Sequence, residues 1–448
     1  MTPPTKEPSH RSQVRTVLTV GLLSGLAGSA MLAQDTVLAY YFGTSSAVDA
    51  YQLAVSVPSL LVNVLAGGTL LAVLVPELTR LTHHQANNEV TNVIRYARRS
   101  VGGLLAASAL AWPVLYSLLE QRSNVDLSAA PHTLTIHLLW LITPILFFVG
   151  VTGIETAYLN SQKRFFNASI FPAFAPIGAI LFTILFSKTL HIYATAIGTL
   201  CGSICLWLLA RHLTHRSLLQ PYRDPQPAAS KSVNRHYFLN VISSATLAGV
   251  ILTDILLASS RPQGELATYN YATRPVIFVI ALLTVSIGNV ILPTFSRLAT
   301  SANKNELIHH FRRWLVIAAA ISLLVLATWV PNCATIVSLL YERGAFHSSD
   351  AESVTAIQTV YLLQLPFYAA AVIGVRLLNS LRHNRTLALI NLAAFFTNLA
   401  VDSWLLPSMG LRGIALGTVT AFAVWAIMVI GCSLRAARHP QPQHTIDT

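Results

Sequence analysis

Charge is what this sequence has least of. Only 10% of its 448 residues are Asp, Glu, Lys or Arg, whereas a soluble domain carries roughly a quarter. Such a chain cannot clothe a globular surface in charge. Four cysteines in this length exclude a disulfide-stapled scaffold, and an apolar content of 54% excludes a disordered chain. The sequence also lacks a Walker A loop, a nucleophile elbow, an HExxH pair and any extramembrane segment long enough to hold an active site. ATP-driven transport and enzymatic chemistry therefore have no foothold, and a membrane glycosyltransferase is left as a distant alternative. The net charge of +12 could signal nucleic acid, but no Lys/Arg run is interleaved with aromatics. The basic residues stand singly or in pairs between apolar stretches, which is the pattern of membrane topology and not of phosphate-backbone recognition.

What is there is a succession of long apolar runs. A bilayer-spanning helix needs about 20 mostly apolar residues, and twelve segments qualify: 17–41, 50–76, 101–119, 134–159, 166–187, 191–210, 237–259, 266–294, 314–331, 355–380, 386–406 and 411–433. The longest polar connection, 211–236, contains Pro221, Pro225 and Pro227 and falls near the middle. The expected organisation is a tail (1–16), an N-lobe (17–210), a linker (211–236), a C-lobe (237–433) and a second tail (434–448). The first apolar run continues to Tyr41 without a small-residue cleavage site, so it reads as a span and not as a signal peptide. Of the 29 Lys and Arg residues, 22 lie in segments on the side of the N-terminus, five lie in the alternate segments, and Arg274 and Arg376 lie within spans. The positive-inside rule then places both termini in the cytoplasm.

Pro58, Pro76, Arg80 and Leu81 recur as Pro275, Pro293, Arg297 and Leu298 at a constant offset of 217. Six spans apart is an even number, so the two halves share orientation, as parallel repeats do in transporters. The fold class expected is an all-α polytopic membrane protein, about 12 transmembrane helices in two six-helix lobes related by a parallel repeat.

Ionisable groups inside a bilayer are costly and mark function by default. Arg274 lies about nine residues into its span, some 14 Å deep at 1.5 Å per residue. Such a guanidinium either grips a phosphate or carboxylate of a substrate or pairs with Asp35 or Asp254. Asp35, with Gln34 beside it as a donor, has a claim to the same cavity. A second constellation consists of Asp254, Asn398, Asp402 and Thr418, from three spans at similar depth. Asn398 and Asp402 are four apart and share a helix face. Hard oxygen donors with two carboxylates suit sodium or a proton, and interhelical hydrogen bonding is the alternative. Glu155 reads as structural, and Cys201 and Cys205 as packing.

Longer motifs carry a resemblance. Tyr41-Phe-Gly-Thr-Ser-Ser-Ala-Val-Asp-Ala-Tyr51, Pro58-Ser-Leu-Leu61, Ala66-Gly-Gly68 and Val75-Pro-Glu77 come first, followed by Leu159-Asn-Ser-Gln-Lys-Arg-Phe165, Ala173-Phe-Ala-Pro176 and Ile291-Leu-Pro293. Leu340-Tyr-Glu-Arg-Gly-Ala-Phe346, Pro366-Phe-Tyr368 and Arg376 complete the set. From about residue 17 to 435 the chain resembles the MurJ/MviN family of lipid II flippases, within the multidrug/oligosaccharidyl-lipid/polysaccharide exporter superfamily. The resemblance implies two lobes around a central cavity that opens alternately to each side of the bacterial inner membrane. It implies a polyprenyl-diphosphate-linked saccharide as substrate, in peptidoglycan and cell-envelope biogenesis. Arg274 matches a family arginine that grips the diphosphate, and in this chain Gln34 and Asn63 are expected to help it. Asp254, Asn398, Asp402 and Thr418 match the family's sodium site, with the backbone carbonyl of Ile414 as a further ligand. No other cofactor is implied.

The departures from that pattern are specific. Where the family has further cavity arginines in its first two helices, this chain has Gly28, Gln34, Val62 and Asn63, and Gly67 stands where an acidic residue is usual. Twelve spans stand where many members have fourteen. A cavity with one arginine holds a diphosphate less tightly, so the expected cargo is lipid II or a related lipid-linked glycan precursor. The rival expectations are a cation-coupled drug or metabolite antiporter of the same superfamily and a transport-dead scaffold for envelope-synthesis proteins.

Overall fold

The computed structural model describes residues 10–65, 74–75, 78, 87–122, 132–162, 169–218, 233–300, 304–381 and 383–438. The described residues of every expected span fall on helix apart from short breaks, while residues 66–73 and 76 of the second span and 166–168 of the fifth lie outside them, and the described residues include no strand. In the N-terminal half these are α1 (His10–Phe42), α2 (Ser46–Leu65), α3 (Asn87–Arg122), α4 (His132–Ile142), α5 (Pro144–Ser161), α6 (Phe174–Leu190) and α7 (Ile192–Leu218). The C-terminal half has α8 (Val233–Ser259), α9 (Glu265–Thr300), α10 (Lys304–Trp329), α11 (Cys333–Tyr341), α12 (Ser348–Leu362), α13 (Leu365–Ser380), α14 (Asn384–Met409) and α15 (Leu411–Arg438). Seven described stretches are long and apolar enough to cross a bilayer, and α12 with α13, bent by 41° at their junction, makes an eighth. The protein is an all-α multi-pass membrane protein.

Two expected spans are broken helices. The run 134–159 divides into α4 and α5 at Thr143, because Pro144 has no N–H to continue the ladder. The run 355–380 divides at Leu363–Gln364, just before Pro366 at the start of α13. Elsewhere α6 lies closely on α7 because glycines let the backbones approach: a β-carbon at Gly178, Gly198 or Gly202 would overlap the facing helix. The pair Cys201 and Cys205 is not core, since Cys205 is exposed and Cys201 only partly buried.

Packing divides the chain into two lobes, with α3, α5, α6 and α7 in one and α10, α13, α14 and α15 in the other. The seam between them joins α1 to α9 and α2 to α8. The first helix of each lobe thus faces the second helix of the other, as a two-fold related parallel repeat requires. The expected internal match is only partly visible, because Pro76, Arg80 and Leu81 lie outside the described residues; Pro58 and Pro275 are both buried in the second helix of their lobes.

At the end of the molecule away from the two chain termini, the lobes are bonded together. Asp49, in the first turn of α2, accepts from the Gly264 and Ala267 amides at 2.5 and 2.7 Å, so a carboxylate of one lobe caps the N-terminus of α9 in the other. The Tyr271 hydroxyl donates to the Gly43 carbonyl at 3.1 Å, the Ala345 amide to the Tyr40 carbonyl at 2.9 Å, and the Thr44 hydroxyl to Asp350 at 2.9 Å. Gly264 (φ +90°) and Gly344 (φ +63°) adopt left-handed backbone, and a β-carbon on either would overlap the Thr44 or Tyr40 carbonyl. Tyr271, Tyr341 and Phe346 stack beneath this contact with ring centroids 5.1–5.7 Å apart.

Candidate functional site

Two polar clusters lie on either side of α9. The first is at the lobe seam. Arg274 projects from α9 toward α1 and α2, its side chain 30% exposed. Its Nε stands 4.0 Å from Asp35 Oδ2 on α1, and its Nη2 donates to Gln52 Oε1 on α2 at 3.3 Å. Both contacts are at the long end of their range. Asp35, at 6%, is buried, and of the two structural partners foreseen for Arg274 the one it meets is Asp35, not Asp254. Gln34 is directed elsewhere: its amide donates to the Tyr51 hydroxyl at 3.0 Å, which shares a hydrogen bond with Thr199 at 2.9 Å. It supports the wall of the N-lobe and makes no bond to the guanidinium. Asn63 and Gly67 fall outside what the structure describes: the side chain of Asn63, and Gly67 altogether.

The α1–α9 contact also accounts for Gly28. A β-carbon there would lie 2.5 Å from the Phe278 ring, and one at Gly25 3.5 Å from Leu282. Phe278 follows Arg274 by one helical turn on the same face, so an aromatic ring fills the space a longer side chain at position 28 would need. Gln52 was not among the expected residues, although a buried amide in an apolar span is a signal of the same kind as Gln34.

The second cluster joins α8, α9, α14 and α15. Asp254 is buried and accepts three hydrogen bonds: from the Tyr269 hydroxyl (2.7 Å, Oδ2), the Thr418 hydroxyl (2.7 Å, Oδ2) and the Asn398 amide (3.1 Å, Oδ1). Asp402 lies beside Asp254 and Asn398, yet neither of its carboxylate oxygens has a hydrogen-bond partner, nor has Asn398 Oδ1. The Ile414 carbonyl lies 3.2 Å from the Thr418 hydroxyl. Gly417 creates the room, since a β-carbon there would overlap the Asp402 carboxylate. The structure therefore brings together all five residues expected at a cation site.

Three buried oxygens without donors, two of them on a carboxylate, are costly in a dry interior. A monovalent cation among Asp254, Asp402, Asn398 Oδ1, the Thr418 hydroxyl and the Ile414 carbonyl would satisfy them, so these residues fit sodium. Tyr269 is the member that composition could not reveal: a tyrosine in an apolar helix reads as packing, and its edge contact with Tyr361 (6.2 Å) is packing of that kind.

A further buried acid meets an arginine of its own lobe through one oxygen, with Oε2 left unpaired. Glu155 on α5 is fully buried, and one of its oxygens accepts from Arg98 Nε at 2.8 Å and Nη2 at 2.5 Å. This is a structural pair between α3 and α5, as its position near the end of its span suggested.

The chain and its fold can be compared with known proteins. The chain is 23% identical over 400 residues to a protein of Bdellovibrio bacteriovorus described as "Probable lipid II flippase MurJ", covering 86% of this chain and 75% of that one. It is 27% identical over 398 residues to "Lipid II flippase MurJ" of Burkholderia cenocepacia, covering 82% and 72%. Among solved structures it resembles "Lipid II flippase MurJ, inward closed conformation" with a TM-score of 0.77 at 21% identity, covering 93% of this chain and 87% of that one. An inward-facing multidrug resistance MATE transporter of the MOP superfamily shares the fold at a TM-score of 0.70 and 12% identity. The family model described as "Lipid II flippase MurJ" matches residues 38–447, and the chain belongs to the MurJ family.

Proposed function

We infer that this protein is an alternating-access flippase that carries a polyprenyl-diphosphate-linked saccharide, lipid II or a related glycan precursor, across the bacterial inner membrane for envelope biogenesis. It is a transporter and not an enzyme. The observation that carries the reading is the Arg274 environment: a guanidinium at the lobe seam, partly exposed, whose nearest carboxylate is 4.0 Å away. An arginine held this loosely can exchange Asp35 and Gln52 for the oxygens of a diphosphate, which it can grip with two parallel N–H···O bonds.

The cation supplies the driving force. Asp254, Asn398, Asp402, Thr418 and the Ile414 carbonyl would hold it, and sodium fits the oxygen donors. The excess of basic residues in the segments on the N-terminal side supports cytoplasmic termini. The bonded end of the lobes then faces the periplasm. Membrane lipids surround the bundle, and envelope-synthesis proteins are the expected protein partners.

Native mass spectrometry of the purified protein, with and without the Arg274→Ala substitution, tests the proposal. A co-isolated polyprenyl-diphosphate sugar that disappears in the variant identifies the cargo and the role of Arg274. Retained flipping by Arg274→Ala in proteoliposomes overturns that role. A phenotype unchanged by Arg274→Ala and Asp254→Asn together would make the chain a scaffold instead.

A further inference from the structure

Tyr269 belongs to the second cluster. Its hydroxyl donates to Asp254 Oδ2 at 2.7 Å and lies beside the Thr418 hydroxyl. Five residues further along α9 stands Arg274. At 100° per residue the two side chains point to widely separated faces of one helix, Tyr269 toward α8, α14 and α15, Arg274 toward α1 and α2. The first turn of the same helix is the part held by Asp49 of the other lobe.

The Thr418 hydroxyl has two acceptors within reach, Asp254 at 2.7 Å and the Ile414 carbonyl at 3.2 Å. It can turn its proton to Ile414 and offer a lone pair to a cation while remaining bonded. Asp254 Oδ2 already accepts from both the Tyr269 and the Thr418 hydroxyls, so a cation seated on that oxygen would compete with them, and a weakened Tyr269 bond loosens the tie of α9 to α8.

We propose that Tyr269 is the coupling residue of this transporter, a positioning group that converts cation occupancy at Asp254 into movement of α9 and so into a change in the hold of Arg274 on the diphosphate. The proposal rests on the cation reading above. In the cation-free arrangement Tyr269 ties α9 to α8 and the far end stays closed. With the cation bound, α9 is released, the Asp49 cap loosens, and the headgroup is let go. Cation and lipid thus oppose each other, and the opposition is reciprocal.

The test uses the full-length protein in nanodiscs, with undecaprenyl diphosphate as the probe. Its Kd is measured in sodium chloride and in choline chloride of equal ionic strength. The wild type is expected to bind more weakly in sodium, by a factor within the roughly 5–150-fold range of ordinary allosteric coupling. In Tyr269→Phe the ratio should collapse to within about twofold, while sodium alone still raises the thermal stability of the variant. An unchanged ratio in the variant overturns the coupling role. No effect of sodium on the stability of either protein is a separate result that removes the cation site itself. If Tyr269→Phe does not fold, hydrogen exchange of the wild type decides: sodium should speed exchange in residues 265–271 relative to choline, and equal exchange overturns the proposal.

Discussion

Arg98 and Arg274 have the same exposure, 30%, and each faces a buried carboxylate on another helix. The first pair is closed: two nitrogens of Arg98 meet a single oxygen of Glu155 at 2.8 and 2.5 Å. The second is open: Arg274 stops 4.0 Å short of Asp35 and takes a long bond to Gln52. Burial and charge are matched, so the difference lies in where the pairs sit. Arg98 joins helices of one lobe, which move together. Arg274 reaches across the seam to the other lobe, and a tight pair there would lock the transporter. The loose pair across the seam is the one proposed to exchange its partners for a ligand, and the tight pair within one lobe is structural.

The sharpest break of this comparison is Arg98→Ala. It strands the buried Glu155 charge, and a loss of about 3–5 kcal/mol in stability is expected, read as a large fall in the midpoint of thermal unfolding, with the Kd for undecaprenyl diphosphate unchanged in the fraction that folds. Arg274→Ala should do the reverse. Loss of a charge-assisted bond costs about 1.5–3 kcal/mol, a weakening of the Kd by roughly one to two powers of ten, with the unfolding midpoint nearly constant. Arg274→Lys sharpens the point: it keeps the charge but loses the fork, and should recover only part of the affinity. Gln52→Leu removes a neutral partner and is expected to change binding by about 1 kcal/mol. The half-buried pair Arg261–Glu265, four apart at 3.1 Å, should contribute only about 0.3–0.5 kcal/mol, so Glu265→Gln should leave both readouts unmoved. If Arg98→Ala weakened lipid binding selectively, or Arg274→Ala chiefly unfolded the protein, the distinction between the two pairs would be wrong.

Most of the fold was legible because bilayer physics writes it in simple terms: apolar runs of the right length and basic residues between them. The breaks at Thr143 and Gln364 were not read as such, although Pro144 and Pro366 mark them, because hydropathy is continuous across both. The cluster around Asp254 was legible because Asp254, Asn398, Asp402 and Thr418 are polar in apolar surroundings. Gly417, which gives it room, and Tyr269, which bonds Asp254, were not, since one contributes only the absence of a β-carbon and the other looks like packing. Gln34 shows the opposite failure: a polar residue beside Asp35 seemed bound for the same cavity, but neighbours in sequence on a helix point about 100° apart, and Tyr51 claims it.

The Asp49 cap has a consequence for energetics. Opening the far end breaks the Asp49, Thr44–Asp350, Tyr271–Gly43 and Ala345–Tyr40 bonds, but every donor and acceptor set free there can be taken up by water at the membrane surface. Each exchange therefore costs only about 0.5–1.5 kcal/mol, somewhat more where Asp49 is the acceptor. Moving one elementary charge through 100 mV of membrane potential is worth about 2.3 kcal/mol. The clasp between the lobes is thus of the same order as the electrical work of moving one or two elementary charges through such a potential.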